Sequence, residues 1–277
     1  SVTGLGPAKA NINTTDIVTN DGTMYNSARM NQRNIVLQMI FVETIYGETI
    51  EDIRQKSYKY FLLKKSLEII VETDNRYIKT TGYVESNEPN IFSSQEGTQI
   101  SIICPDPYFY SAGKNESIIT DFYSIEPAFE FPFENNSLTE HLLNFGEIQM
   151  QTEGNVYYSG DSEVGIKIRI HAIGPASNIT IVKTDTREKM KINTEKIKNI
   201  TGKGIVASDD IIISTLKGDK SIILIRDGVL YNILNCLDRD MDWLSLQKGD
   251  NIFAFAADEG ITNLQFRIEN RVIYEGV

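Results

Sequence analysis

The chain is poor in the residues that usually do chemistry. In 277 residues it has two histidines (His141 and His171), two cysteines (Cys104 and Cys236) and one tryptophan, Trp243. With no histidine pair and no His-Glu-x-x-His run, a zinc-hydrolase site has no ligands. Without a Cys-x-x-Cys pair, structural zinc lacks its ligand set. Both cysteines stand in apolar contexts, Ile102-Ile103-Cys104 and Leu234-Asn235-Cys236. They are expected to be buried free thiols. A glycine-rich phosphate loop is also missing, since Gly202-Lys203-Gly204 lacks the required spacing. The longest apolar runs, Ile211–Ile213 and Ile222–Ile225, are strand-length, far short of the roughly 20 residues a membrane-spanning helix needs. Membrane insertion is therefore not expected. Positive charge is short too: the formal net charge is −11 and the pI about 4.8. That balance argues against a broad basic face for nucleic acid.

Three fragments of functional motifs fail on inspection. Gly160-Asp161-Ser162-Glu163 resembles the start of an esterase block, but the serine needs a histidine base, and none follows His171. A turn leading into the next strand explains it. Asp238-Arg239-Asp240-Met241-Asp242 imitates a calcium loop, yet Trp243 and Gly249 occupy the positions where Gly and a bidentate Glu are required. Sequons at Asn13, Asn115, Asn135, Asn178 and Asn199 read as products of an Asn-, Ile- and Lys-rich composition. No catalytic, cofactor-binding or metal-ligating residue is assigned, and no enzyme activity or cofactor is expected. Both histidines are read as surface or edge residues, and Trp243, in Trp243-Leu244-Ser245-Leu246, as a core anchor. Tyr157-Tyr158 and Tyr108-Phe109-Tyr110 are read as packing or interface residues.

What the chain does have is alternation. Glu163–His171 places Val164, Ile166, Ile168 and Ile170 on one face of a strand. Asn178–Lys183, Ser221–Ile225, Val229–Ile233, Asn251–Phe255 and Leu264–Ile268 follow the same rule, and Arg226-Asp227-Gly228 marks a hairpin turn. This half is expected to be an antiparallel β-sandwich or jelly roll. The lysine cluster within 183–203 (Lys189, Lys191, Lys196, Lys198, Lys203) is expected to be a solvated hairpin edge. The first half is mixed. Arg33–Val42 reads as a strand with two apolar faces, and Thr49 caps a helix expected to run to about Lys64, with Ile50, Ile53, Tyr60 and Phe61 on one side. Strands follow at Leu67–Glu72, Arg76–Glu85 and Gly97–Ile103, the last stopped by Cys104-Pro105-Asp106-Pro107. The fold class is mainly β: an α+β N-terminal domain with one main helix, residues 1–115, and a C-terminal β-sandwich, residues 116–277. The stretch Tyr110–Asp121 is the expected linker.

Several segments, in order, resemble the distal tail protein family of long-tailed phages. They are Gly4-Leu5-Gly6-Pro7, Asp21–Ser27, Arg33–Val36, Gly82–Glu85, Ile103–Phe109, Asp242–Asn251 and Ile273–Val277. The resemblance implies a ring-forming N-terminal domain, hexameric, and a galectin-like C-terminal sandwich. It implies a structural hub at the virion tail tip, assembled in the bacterial host cytoplasm, with tail tube, tape-measure, tail-associated lysin and receptor-binding proteins as partners. Family members usually carry residues before the Gly-Leu-x-Pro region, so it also implies a shortened start. A carbohydrate-binding adsorption module is the alternative function. Strand Arg33–Val42 is the expected contact between protomers.

Overall fold

The computed structural model describes residues 1–17, 21–43, 47–126 and 147–277. It divides into two compact units, Ser1–Glu116 together with Ile273–Val277, and Ser117–Val272.

In the first unit, β1 (Val2–Thr3), β4 (Arg33–Ile40), β7 (Gly97–Cys104), β6 (Tyr77–Asn90) and β8 (Phe109–Ser111) lie side by side, antiparallel, and the C-terminal strand Ile273–Tyr274 closes that edge. β5 (Ser66–Glu72) pairs with β6. Alternation sends Ile35, Ile78, Val84, Ile100, Ile102, Cys104 and Phe109 into one core, against which Leu37, Phe61, Leu67 and Ile69 pack. A β-bulge between Val84 and Ser86 bends β6 and presents Glu85, whose carboxylate accepts from Ser101 Oγ at 2.8 Å on the opposite face. The helix α1 (Ile50–Tyr60) begins as expected: Thr49 Oγ1 accepts from Asp52 N at 3.2 Å while Asp52 Oδ2 accepts from Thr49 N at 3.0 Å. It ends earlier than expected, with Phe61 as its C-cap, and Tyr60 is exposed rather than on the packed side. The remaining pair, β2 (Ala10–Asp16) and β3 (Thr23–Met30), forms a separate two-stranded ribbon. The segment after β1 lies close on the sheet because Gly4 adopts φ +85, where a Cβ would sit 2.0 Å from the Asn34 carbonyl oxygen.

The second unit holds a six-stranded and a four-stranded antiparallel sheet. Around β9 (Ile118–Asp121), β10 (Tyr123–Glu126), β11 (Glu147–Met150), β12 (Glu153–Tyr158) and β13 (Val164–Gly165), the main strands are β14 (Lys167–Ala172), β15 (Ile179–Lys183) and β16 (Glu188–Ile192). After α2 (Thr194–Thr201) come β17 (Asp210–Ser214), β18 (Ser221–Arg226), β19 (Val229–Asn232), β20 (Ser245–Leu246), β21 (Gly249–Ala256) and β22 (Leu264–Asn270), before the terminal β23 (Ile273–Tyr274). The larger sheet runs β19-β18-β17-β14-β22-β9 and the smaller β12-β21-β15-β16. They meet through their apolar faces: Phe255 of the smaller sheet stacks on Phe266 of the larger at 4.1 Å between ring centroids, and Phe122 meets Phe255 edge-on at 4.7 Å. The hairpin at Asp227-Gly228 has both residues at positive φ, 51 and 77, as a twisted two-residue turn requires.

Four details depart from the sequence reading. The Tyr110–Asp121 stretch is built from β8, a 3-10 turn and β9, with the chain crossing between units at Glu116–Ser117. The tail expected with the second domain returns to the first unit, where β23 pairs with β8. The lysine cluster is a hairpin edge only as far as Ile192. From Thr194 it is the helix α2, capped by Asn193 and ended by Gly202 at φ +77, with Ile197 buried. Finally, Trp243 is only half-buried, under the Lys220 ammonium at 4.9 Å, while Leu244 and Leu246 fill the core.

Candidate functional site

Among the described residues, the candidate sites are surfaces. The most unusual is the β2–β3 ribbon. Cross-strand partners share a face, so Ala10, Ile12 and Thr14 lie with Met30, Ala28 and Tyr25, the last pair beyond a register shift between Asn13 and Thr14. The other face carries Asn11, Asn13, Ser27 and Arg29, with Asn13 Nδ2 donating to Ser27 Oγ at 3.1 Å and Asn26 Nδ2 to Thr15 Oγ1 at 2.6 Å. The apolar face has no cover: Ile12 is 60% exposed and Tyr25 64%. A two-stranded hairpin alone is marginally stable in water, and this one presents its apolar side unburied. A second exposed group lies where β4 and the β6–β7 turn end together: Ile40 is opposite Gly97, and Ile40, Val42, Ile91 and Phe92 are all exposed, Phe92 at 97%.

β4, the strand expected at the contact between protomers, lies inside its own sheet. It is paired with β7 along its length and with β1 at Val36 and Leu37, and its Ile35 face is buried core. Two apolar faces arise because one side fills the core and the other ends in the exposed Ile40 and Val42.

Arg33 opens β4 and is 2% exposed. Its guanidinium donates to four carbonyl oxygens: Gly4 at 2.8 Å, Gly6 at 2.5 Å, Pro107 at 2.9 and 2.6 Å, and Glu275 at 2.6 Å. It stacks on Phe109 at 4.2 Å. Burial lowers its pKa, opposed by Cys104 and Asp106. One planar fork thus joins the first residues, the Pro105–Pro107 exit and the C-terminal tail. An arginine beside an apolar run is the only sequence signal for this node.

In the second unit, the solvent side of the six-stranded sheet holds a polar trough of about 290 Å³ lined by Tyr123, Arg169, His171, Gln265 and Arg267. Arg169 and Arg267 are direct cross-strand partners, as are His171 and Gln265. Each arginine has its own carboxylate. Arg169 donates to Asp210 at 2.9 and 3.3 Å, and His171 Nδ1 lies 2.9 Å from the same Asp210. Arg267 donates to Asp121 at 2.6 and 3.2 Å and to Tyr123 Oη at 3.1 Å. Burial pushes the Asp210 carboxyl up, but hydrogen bonds from Arg169 and His171 outweigh it and hold the carboxyl below its usual range. The Asp121 hydrogen bond, against burial, raises the Arg267 pKa. Alternation predicted the solvent side for His171; it could not bring Asp121, Tyr123 and Arg267 to the same row.

The other residues singled out by sequence are dispersed. Cys104 and Cys236 are buried free thiols, both pushed up mainly by burial. His141 and the sequon at Asn135 lie outside the described residues. Asp238 and Asp242 donate backbone N–H groups to Lys191 and Lys189 carbonyls, which ties the acidic loop along β16. Among the described residues, no three His, Cys, Asp or Glu side chains gather as metal ligands. In the Gly160–Glu163 turn the Ser162 carbonyl accepts from Tyr158 Oη at 2.9 Å. Tyr158 and Phe109 are fully buried packing residues, whereas Tyr157 is exposed.

No protein-family model and no curated protein matches this chain. Solved structures do. The chain is similar to the Dit protein (gp 19.1) of phage SPP1, described as a paradigm of hub adsorption apparatus in Gram-positive infecting phages, with 14% identity, a TM-score of 0.65, and coverage of 99% of this chain and 91% of that one. A chain of the phage P2 baseplate in its activated conformation with Ca is similar at 10% identity and a TM-score of 0.42, covering 98% and 89%. Mainly β architecture in two units, with the SPP1 Dit fold over nearly its whole length, is what this chain has in common with known proteins.

Proposed function

We propose that this chain is a structural hub protein of a phage-type tail tip, whose first unit forms a ring and whose second unit carries adsorption components. The observation that supports this most is the fold likeness to the SPP1 Dit hub protein, which spans both units rather than one. Fold alone does not give function. The second support is the uncovered apolar face of the β2–β3 ribbon, together with the Ile40, Val42 and Phe92 group. Both lie in the first unit. Surfaces of this kind are covered in an assembly, and repeating one head-to-tail contact through a closing rotation makes a ring. Six protomers is the number that the family resemblance implies. Tail tube, tape-measure protein, tail-associated lysin and receptor-binding proteins are the partners under this reading, and the virion tail tip, assembled in the host cytoplasm, is its location. It needs no catalytic group.

Native mass spectrometry and negative-stain imaging of concentrated protein, alone and mixed with tail tubes, test the reading. Closed rings, or capped tubes, are the expected result, both lost on Ile12→Asp/Tyr25→Asp. A chain that stays monomeric alone and also fails to join tail tubes sinks it.

A further inference from the structure

The polar trough on the six-stranded sheet has a surplus of donors that no described residue uses. Asp210 and Asp121 have both carboxylate oxygens engaged by arginine, and Asp210 also by His171. Arg169 binds through Nε and Nη2, as does Arg267. That leaves Nη1 of each arginine with two N–H groups and no partner among the described residues. The Gln265 side-chain amide is similarly unclaimed, with two donors and one acceptor, while His171, its Nδ1–H donating to Asp210, presents Nε2 as an acceptor in the neutral ring. The trough therefore has its carboxylates engaged by arginine and the Nη1 edges of both arginines open. Arg169 and Arg267 also face each other directly across neighbouring strands, a like-charge placement that is unfavourable unless something lies between them or holds them. The aspartates hold them from the outer sides, which fixes both guanidinium planes and lowers the ordering cost of a ligand between them.

From this arrangement we infer that the trough binds an oxyanion, a phosphate or carboxylate group, carried on a polar polymer. An acceptor-only group with several oxygens matches two guanidinium edges plus an amide. A neutral hydroxyl-bearing ligand carries no charge to match the two guanidinium edges. Tyr123 sits beside Arg267 and gives the rim one aromatic ring for the polymer's apolar edge. That the polymer belongs to a surface to which a tail tip adsorbs rests on the hub reading; the oxyanion chemistry does not.

NMR of the full chain, following arginine Nε–H and His171 signals, provides the test at fixed ionic strength. The probes are inorganic phosphate, a phosphodiester-linked polyol oligomer, a uronic acid oligomer and a neutral hexose oligomer. Saturable shifts with one or both charged oligomers are expected, and which one binds identifies the source. Arg169→Gln/Arg267→Gln should weaken that binding at least roughly tenfold, about 1.4 kcal/mol. Gln265→Ala, which breaks no ion pair, should weaken it less, and Lys189→Gln, on the other sheet, should leave it unchanged. The inference is overturned by no saturable shift with any oxyanion up to about 10 mM, a Kd too weak for a built site. Tighter binding of the neutral oligomer, or equal losses in the arginine and Lys189 variants, overturns it as well. Because these readings use the isolated chain, their failure is separate from a failure to form rings.

Discussion

Arg33→Lys should destabilise the first unit severely although it keeps the charge. In the native chain five hydrogen bonds reach four carbonyl oxygens that lie in three separate segments. An ammonium has three donors at one point and cannot span them. At least two of these part-buried carbonyls then lose their donor, at about 1–3 kcal/mol each at most. Loss of guanidinium stacking on Phe109 adds about 0.5–1 kcal/mol. The sum is roughly 2.5–7 kcal/mol, at the upper end for a single substitution. Urea unfolding of the full chain should show an earlier transition assigned to the first unit, with the second unit little changed. Hydrogen exchange supplies the local readout: the Val277 amide, which donates to the Leu5 carbonyl, and the Gln38 amide, which donates to the Ser1 carbonyl, should lose protection first. A loss below about 1 kcal/mol with both amides still protected would refute the view that Arg33 ties the two termini to the sheet.

Two further outcomes follow from single side chains. Lys183 is fully buried, its ammonium has no hydrogen bond, and Asp185 is 3.6 Å away, so Lys183→Met should be neutral or stabilising in urea unfolding by up to about 3 kcal/mol; a clear loss would mean the amine has an undetected partner. The Asp210 carboxyl is held below its usual range, so its ion pairs contribute stability above about pH 4 that is lost as pH falls through the depressed folded value. The gap in urea midpoint between the native chain and Asp210→Asn should therefore be widest near pH 7 and narrow as pH falls below about 4; a gap that grows on acidification contradicts the assignment.

Local order was largely legible in the sequence. Alternation in Leu264–Ile268, the turn at Asp227-Gly228 and the Thr49 cap are short-range effects of side-chain size and backbone freedom, and that strand and the helix start where those effects put them, whereas the alternating Glu163–His171 is split into β13 and β14, which pair in different sheets. The α2 helix was missed because its lysines, seen as charge, hid a Thr194–Thr201 pattern in which Ile197 is the one buried apolar residue. Only tertiary structure could decide the rest. Strand β4 is interior because β1 and β7 pair with it, and no local signal fixes such a partner. Arg33 reaches Glu275, 242 positions away, and Arg267 reaches Asp121 across 146. Ile273 and Tyr274 leave a strand-rich neighbourhood to close the first unit's sheet. A sequence records which faces are apolar; which face meets which, and therefore which of them stays uncovered, is set only when distant segments compete for the same hydrogen bonds and the same core.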